Sequence, residues 1–267
     1  QDAASAFRIV SIRLDRSLKY AQADLFVNGH RHSVPIAQAN ATGNFGNIPF
    51  FLGARDGGGA ASLWSAVDIA EVILYNVRHV AKDTRGITKY LADKYGVTLP
   101  TANGVIAFDG SSNVDGQSTI LSVFMDVIGR RLNAGDGVWD VVNFGSSGIT
   151  VATQETDAAA QIDPWVWAGK TNILCSANGF NALLNNAATK ETLLTRIQTY
   201  ASNRKTAGWS VIWGALEANN NSLWTVVGSQ DEYEDTERGW INTELPFQVP
   251  AYLAAVANIN VNTKIAH

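Results

Sequence analysis

Three glycine-rich turns in the second half of the chain carry the residue types best suited to chemistry. They cover residues 108–116, 143–148 and 178–182, and each follows a short apolar run. A serine hydroxyl, a backbone N–H beside Gly148 and the side-chain amide of Asn181 would supply a nucleophile and two oxyanion donors, which suits acyl transfer. Glycines at such turns also occur for steric reasons alone, so turns without chemistry are the alternative interpretation.

Alternating strand-like and helix-like segments surround these turns. The predicted strands cover residues 105–108, 139–144, 172–176 and 209–216, and the predicted helices cover residues 120–132, 150–162 and 193–208. This alternation predicts an α/β domain in which helices cover both faces of a parallel sheet. Ligands bind beyond the carboxyl ends of the strands in such sheets, and the three turns would meet there.

The first part of the chain has a strand-rich pattern instead. Short apolar runs between turn residues predict a partial antiparallel β-sandwich or jelly roll, and Asn28-Gly29 is a tight-turn signal. The runs cover residues 7–14, 23–27, 48–52 and 67–75. A helix is predicted over residues 82–95, with Gly96 just beyond its end. The predicted boundaries are 1–99 for the strand-rich segment, 100–104 for a linker and 105–267 for the α/β domain.

Composition narrows the possible functions. Of 267 residues, 46% are hydrophobic and only 16% are charged, which excludes global disorder. The net charge is −4 and no Lys/Arg cluster occurs, so no nucleic-acid partner is predicted. The apolar runs are too short to span a bilayer, and the absence of a phosphate-binding loop or dinucleotide fingerprint predicts no cofactor. Low charge with 23 glycines and 8 tryptophans favours an extracellular or virion-surface protein.

The three turns resemble the sequence blocks of the SGNH (GDSL-type) hydrolases over about residues 105–245. Residues 108–116 resemble the first block, residues 143–148 the second and residues 179–182 the third. The resemblance implies a three-layer, flavodoxin-like α/β fold. It also implies that Ser112 is the nucleophile, that Gly148 is a backbone oxyanion donor and that Asn181 is a side-chain oxyanion donor.

The chain departs from this family at three places. Ser111 stands where the family has Asp, and Ala182 stands where Asp usually follows the third-block Asn. The last block, Asp-x-x-His, is missing, since Lys264 lies three residues before His267. His30, His32 and His79 belong to the first part of the chain and have no counterpart in the family. A serine needs an imidazole within hydrogen-bond reach, so we expect the base to come from residues beyond His267 or from another chain.

The first part resembles the second half of a LamG or concanavalin-like jelly roll. The resemblance rests on residues 25–29, 51–55 and 68–76, and residues 90–97 match the helix that closes such modules. Half a sandwich leaves open sheet edges and an uncovered apolar face. We therefore expect the native polypeptide to extend toward the N-terminus, or another protein chain, including a second copy, to complete the sheet.

The sequence also contains residues that could form a carbohydrate-stacking site or a calcium site, and each set has a structural alternative. Trp165 and Trp167 are predicted to lie in a loop that follows Pro164 and are candidates for stacking against a carbohydrate, although tryptophans more often pack in a core. Asp56 and Asp68 could hold calcium, but they lack EF-hand spacing and no metal site is predicted. Cys175, the one cysteine, cannot form an internal disulfide.

Two hypotheses about function follow, and they leave open whether the chain is an enzyme. The favoured one is a degenerate or incomplete hydrolase-like module that binds glycans or builds part of a virion fibre, tail or surface protein. The alternative is a serine esterase or deacetylase that acts on acylated glycans through Ser112. Turnover that depends on Ser112 would distinguish them.

Overall fold

The computed structural model describes eleven stretches of the chain. They are residues 7–14, 23–31, 55–56, 61–62, 68–77, 79–111, 114, 138–183, 188–216, 238–248 and 251–257.

A five-stranded parallel sheet forms the centre of the molecule. Its strands are β6 (Ala102–Gly110), β7 (Val138–Asn143), β8 (Thr171–Ala177), β9 (Ser210–Gly214) and β10 (Ala255–Ala257). They lie in the order β10-β9-β8-β6-β7, and every neighbouring pair is parallel. Along the chain this is the order 2-1-3-4-5 of flavodoxin-like folds. The predicted α/β class is therefore confirmed, and β10 is a strand that the sequence pattern did not predict.

Helices between these strands pack against one another in succession. They are α2 (Val151–Gln161), α3 (Phe180–Leu183), α4 (Lys190–Ala207) and α5 (Arg238–Glu244). Thr150 and Thr189 cap the first residues of α2 and α4, and Gly208 ends α4 at φ 109°. Helix α4 contacts both α2 and α5. The helix predicted over residues 120–132 lies outside the described residues.

The core lies between the sheet and these helices. Val105, Ala107 and Leu174 from the central strands are fully buried, as are Leu193 and Ile197 from α4. A strand that is buried on both faces of the sheet carries apolar residues at successive positions rather than at every second position. This explains the apolar runs in β6 and β8. Burying one such Leu or Ile side chain stabilises the fold by about 1.5–3 kcal/mol.

The first part of the chain contributes short antiparallel strands. β1 (Val10–Leu14), β2 (Ala23–Val27) and β3 (His30–Arg31) form one sheet, and β4 (Arg55–Asp56) pairs with β5 (Ala61–Ser62). The β2–β3 connection is Asn28-Gly29, with φ values of 50° and 83°, as a two-residue hairpin requires. The strand predicted over residues 67–75 is wrong, because residues 68–75 form no ladder and are exposed. Residues 48–52 lie outside the described ranges.

Helix α1 (Ala81–Tyr95) connects this segment to the sheet. It ends at Gly96, whose φ of 65° and N–H bond to Ala92 O close the helix as predicted. Strand β6 begins at Ala102, inside the stretch predicted as a linker. No helix among the described residues is long and apolar enough to cross a membrane.

Side chains from the first part dock on the α/β domain. Phe26 of β2 is 1% exposed and stacks on Trp165, with ring centroids 6.4 Å apart. The Arg85 guanidinium of α1 donates to the carboxylate of Asp140 on β7 at 2.8 Å. Asp140 is fully buried. These contacts join the two parts of the chain through one continuous core.

Candidate functional site

The candidate site lies at the carboxyl ends of β6 and β8. Chain connections leave these two neighbouring strands in opposite directions, since β6 leads to β7 and β8 leads to β9. Such a switch point opens a crevice between the loops that follow the two strands. Ser111 follows β6 and Asn181 follows β8, so both lie at the same edge of the sheet.

The turn after β6 is tied to its neighbours on both sides. A Cβ on Gly110 would stand 2.4 Å from the Ala177 carbonyl oxygen, so the close approach of β6 to β8 requires glycine here. Val114 N–H donates to Ser111 O at 3.0 Å. Asn143 Nδ2 donates to Val114 O at 2.8 Å. Ser112 itself lies outside the described residues, and its predicted role as nucleophile stays a prediction.

The two predicted oxyanion donors come from loops that meet. Asn181 Nδ2 donates to the Ile149 carbonyl oxygen at 3.0 Å, and Ile149 directly follows Gly148. Asn178 Nδ2 donates to the same oxygen at 3.2 Å. Gly148 has φ 77° and is exposed, and its N–H has no partner among the described residues. The loop after β7 and the start of α3 therefore stand together at this edge.

A buried polar network lies directly beneath these loops. Tyr200 of α4 donates its hydroxyl to Asp109 Oδ2 on β6 at 2.5 Å. Gln154 of α2 donates its Nε2 to Ser176 Oγ on β8 at 3.4 Å, and its Oε1 accepts from Asn178 Nδ2 at 2.8 Å. Asp109 is 3% exposed, Gln154 2% and Tyr200 fully buried. A Tyr200–Asp109 pair therefore lies at the end of β6, and Gln154 connects α2 to β8 and to the Asn178 loop.

Burial dominates the electrostatics of this network. It raises the pKa of Asp109 to about 6, although the Tyr200 hydrogen bond, the nearby Gln154 amide, the Gly110 N–H and the Arg204 charge all favour the carboxylate. Burial and the neighbouring Asp109 raise the pKa of Tyr200 well above its usual value, so its hydroxyl stays protonated. The sequence pattern did not reveal this network. The one local signal for it was Asp109, a charged residue in a strand whose other residues are mostly apolar.

A pocket opens between α2 and the ends of β6 and β7. It holds about 400 Å³ of empty space, which includes the part open to solvent. Its polar lining comes from Asp109, Ser146, Gln154, Asp157 and Gln161, and its apolar lining from Phe144, Ile149, Ala158 and Ile162. The pocket combines buried hydrogen-bonding groups with an aromatic wall, which suits a small polar group better than a long acyl chain.

The histidines of the described chain lie away from this edge. His30 Nδ1 stands 3.8 Å from Asp140 Oδ1. Asp140 pairs with Val105, five residues before Gly110 and therefore about 16 Å along the strand from it. His79 lies beside Asp83 on α1, with its ring edge-on to Tyr75. His32 and His267 lie outside the described residues. No group of three or more potential metal-ligating side chains occurs in the part of the chain that the structure describes.

The tryptophans predicted as a sugar-stacking platform have structural partners. Trp165 is 3% exposed and packs against Phe26 and Phe144, so its ring offers no face to a carbohydrate. For Trp165 the predicted substrate contact is therefore wrong. Trp167 is partly exposed, but the Arg85 guanidinium lies 4.0 Å from the centre of its ring. Both side chains face the docked first part of the chain.

Comparison with known proteins gives structural likeness without a sequence match. No protein-family model matches this chain. No curated protein matches it. A member of the lipolytic protein G-D-S-L family from Veillonella parvula DSM 2008 is 15% identical, with a TM-score of 0.44 over 58% of this chain and 76% of that one. AlinE4, an SGNH-hydrolase family esterase, is 13% identical, with a TM-score of 0.44 over 58% of this chain and 75% of that one.

An acetylxylan esterase from Geobacillus stearothermophilus, Axe2, is 15% identical, with a TM-score of 0.38 over 54% of this chain and 74% of that one. Identities and TM-scores this low do not by themselves establish the fold of this chain. Its fold is established by the order of its own strands and by their parallel pairing.

Proposed function

We propose that the carboxyl edge of the sheet is an acyl-transfer site that hydrolyses esters, with Ser112 as the nucleophile. The observation that carries the proposal is the hydrogen bond from Asn181 Nδ2 to Ile149 O, because it brings one expected oxyanion donor to the loop that holds the other. The unpartnered N–H of Gly148 among the described residues supports the same assignment. Oxyanion holes in acyl transfer combine donors of these two kinds.

The proposed reaction has two halves. The Ser112 hydroxyl oxygen forms a bond to the ester carbonyl carbon while a base accepts its proton, and the carbonyl oxygen becomes an oxyanion held by Gly148 N–H and the Asn181 amide. The intermediate then expels the alcohol, which takes the proton from the base. Water repeats the sequence on the acyl-enzyme and releases the carboxylic acid. The base is an imidazole supplied from outside the described residues or by another chain.

The proposed substrate class is a carbohydrate that carries a small acyl group such as acetyl. The pocket beside the site supports this choice, since the exposed Asp157 and Gln161 of its lining offer hydrogen bonds to hydroxyl groups. The SGNH resemblance of the three turns supports the reaction type. The proposed setting is extracellular or on a virion surface, and it rests on composition.

Ser112→Ala tests this proposal directly. We expect the variant to lose at least about a thousandfold in the rate of p-nitrophenyl acetate hydrolysis, because the nucleophile is gone. Ser111→Ala is the matched control and should retain the activity. Equal rates for Ser112→Ala and the parent protein would refute the assignment, and loss of activity in Ser111→Ala alone would move the nucleophile by one residue.

A non-catalytic module that binds glycans or builds a surface assembly is the second candidate function. It is favoured by Ala182, which is 2% exposed within the core cluster at the position where the family usually has Asp. The carboxyl group of an aspartate at this position would be buried among apolar side chains, which is energetically costly. This candidate requires that the parent protein and Ser112→Ala bind an acetylated oligosaccharide equally and that neither hydrolyses it.

A further inference from the structure

The turn that carries Gly148 is held at both of its ends. Ser146 N–H donates to Gly110 O at 2.8 Å, which ties the start of the turn to β6. Ile149 N–H donates to Ser146 O at 3.3 Å, so residues 146–149 form a β-turn, and the φ of 77° at Gly148 suits the third position of a type II turn. The Gly148 N–H belongs to the central peptide of this turn, so its direction depends on what holds Ser146 and Ile149.

The Ile149 carbonyl is the anchor at the far end of the turn, and two side-chain amides bind it. Asn178 Nδ2 donates to Ile149 O at 3.2 Å, and Asn181 Nδ2 donates to the same oxygen at 3.0 Å. A carbonyl oxygen has two lone pairs, so it can accept both bonds. The loop after β7 is thereby joined at one atom to the residues that follow β8.

The two amides differ in the hydrogens that they have left to donate, since each Nδ2 carries two. Asn178 uses both, because its second bond goes to Gln154 Oε1 at 2.8 Å, and its Oδ1 accepts from Gly179 N–H at 2.7 Å. Asn178 is 5% exposed, whereas Asn181 is partly exposed. Asn181 Nδ2 makes one hydrogen bond among the described residues, so its second hydrogen can meet an oxyanion.

We propose that Asn178 is a positioning residue for this site: its fully bonded amide holds the Ile149 carbonyl and thereby fixes the Gly148 N–H relative to the Asn181 amide. The inference rests on the proposed function, because Gly148 and Asn181 are the donors assigned there. Without the bond from Asn178, only the Asn181 amide holds Ile149 O. The turn then loosens, and the two donors lose their common geometry although neither is removed.

Gln154 of α2 fixes the orientation of the Asn178 side chain. Gln154 is 2% exposed, and its Oε1 is the acceptor that orients Asn178 Nδ2. Its own Nε2 reaches Ser176 Oγ at 3.4 Å, which is long for a hydrogen bond. The bond from Asn178 to Gln154 therefore matters more for the site than the bond from Gln154 to Ser176. Substitutions at the two ends of the Gln154 amide provide a second variant and a matched control.

Backbone NMR relaxation tests the positioning role without any substrate. In the parent protein, the ¹⁵N order parameters of Gly148 and Ile149 should be about 0.85, the value of rigid backbone. Asn178→Asp keeps the size of the side chain and the acceptor for Gly179 N–H, but its ionised carboxylate has no hydrogen for Ile149 O. We expect this variant to lower both order parameters below about 0.6. Ser176→Ala is the control and should leave both unchanged.

Hydrolysis of p-nitrophenyl acetate provides the second measurement, at a temperature where circular dichroism shows each variant to be folded. Asn178→Asp should lower kcat by about tenfold to a hundredfold with KM within about twofold, since misplaced donors weaken only the transition state. Gln154→Met keeps the length of the side chain but removes the acceptor for Asn178, so it should lower kcat by at least about fivefold. Ser176→Ala should keep kcat within about twofold of the parent protein.

The outcomes separate this inference from the proposed function. Parent-like order parameters at Gly148 and Ile149 in Asn178→Asp, or a kcat within about twofold of the parent protein, would overturn the role of Asn178. If Asn178→Asp does not fold, Gln154→Met decides by the same two criteria. If the parent protein hydrolyses no ester above the Ser112→Ala background, the proposed function fails. The order parameters then decide alone whether Asn178 holds the Gly148 turn.

Discussion

The buried carboxyl group of Asp109 makes the stability of the folded protein depend on pH. Its folded-state pKa of about 6 lies above the ordinary value of 3.8, so the folded protein holds this proton more tightly than the unfolded chain does. The resulting stabilisation is fully present below about pH 4 and is lost as the pH rises through 6. Near neutral pH, the fold keeps a buried carboxylate at a net energetic disadvantage.

Asp109→Asn should therefore stabilise the protein above pH 7. The amide has the same size and stays neutral, so it avoids the burial of charge. A difference of about 2 pKa units corresponds to at most about 3 kcal/mol in the free energy of unfolding at pH 7.5, with no gain near pH 4. Urea unfolding from pH 4 to pH 8 measures this difference. An equal effect of the substitution at all pH values would contradict the explanation.

Other single residues show why residue type alone is a weak guide to function. Trp165 and Trp167 have the rings that carbohydrates stack on, yet their partners are Phe26 and Arg85. His30 is a candidate base by type, yet it lies near Asp140 and far along the strand from Gly110. In each case, the role depends on neighbours that are distant in the sequence.

Strand β6 is the element on which the site depends most, since it pairs with both β7 and β8. Gly104 and Gly110 allow β8 to approach it closely. A Cβ on Gly104 would stand 1.7 Å from the Thr171 carbonyl oxygen, and the φ of Gly104 is 156°. The backbone of the neighbouring strand, which cannot move away without loss of the ladder, fills the space that a side chain would need.

Gly104→Ala should destabilise the protein by more than about 2 kcal/mol, because it forces β6 and β8 apart. Gly86→Ala in α1 is the matched control. A Cβ at Gly86 meets nothing within 4 Å, and alanine in a helix interior should stabilise by about 0.5–1 kcal/mol. Thermal unfolding of the two variants should therefore give shifts of opposite sign. A Gly104→Ala variant as stable as the parent protein would mean that the strands tolerate separation.

Periodicity and capping predicted many of these elements. The predicted helix over residues 82–95 and the observed α1 differ by one residue at the start, because the Gly96 terminator is a local feature. Strand β10 was missed, since three residues of the sequence Ala-Val-Ala carry no distinctive pattern. The strand predicted over 67–75 failed although most of its residues are apolar, because residues 68–75 have no partner strand among the described residues.

At the level of the complete molecule, the first part of the chain is fastened to the sheet by a buried ion pair. The side chains of Arg85 and Asp140 are 10% and 0% exposed. Burial alone would raise the pKa of Asp140, but the nearby His30 and the Arg85 guanidinium together lower it. A buried pair of this kind is costly to break, because the remaining charge loses its partner without gaining water.

Arg85→Met should reduce the free energy of unfolding by about 3–5 kcal/mol, since it removes the guanidinium partner of the buried Asp140 carboxylate. Lys89→Met, on the same helix, removes an exposed pair with Asp93 whose side chains are 72% and 66% exposed. That control should change stability by less than about 0.5 kcal/mol. Guanidinium unfolding followed by tryptophan fluorescence measures both. Similar small effects for the two variants would show that the pair does not hold the parts together.

Local sequence patterns were enough to specify the α/β class, the alternation of strands and helices and the hairpin at Asn28-Gly29, because they depend on residues close together in the chain. The partners of buried polar groups were decided by the packing of the whole chain. Tyr200 reaches Asp109 across 91 positions of sequence, and Asn181 reaches Ile149 across 32. Such contacts exist only once the strand order and the docking of the helices are set, and no local spacing encodes either.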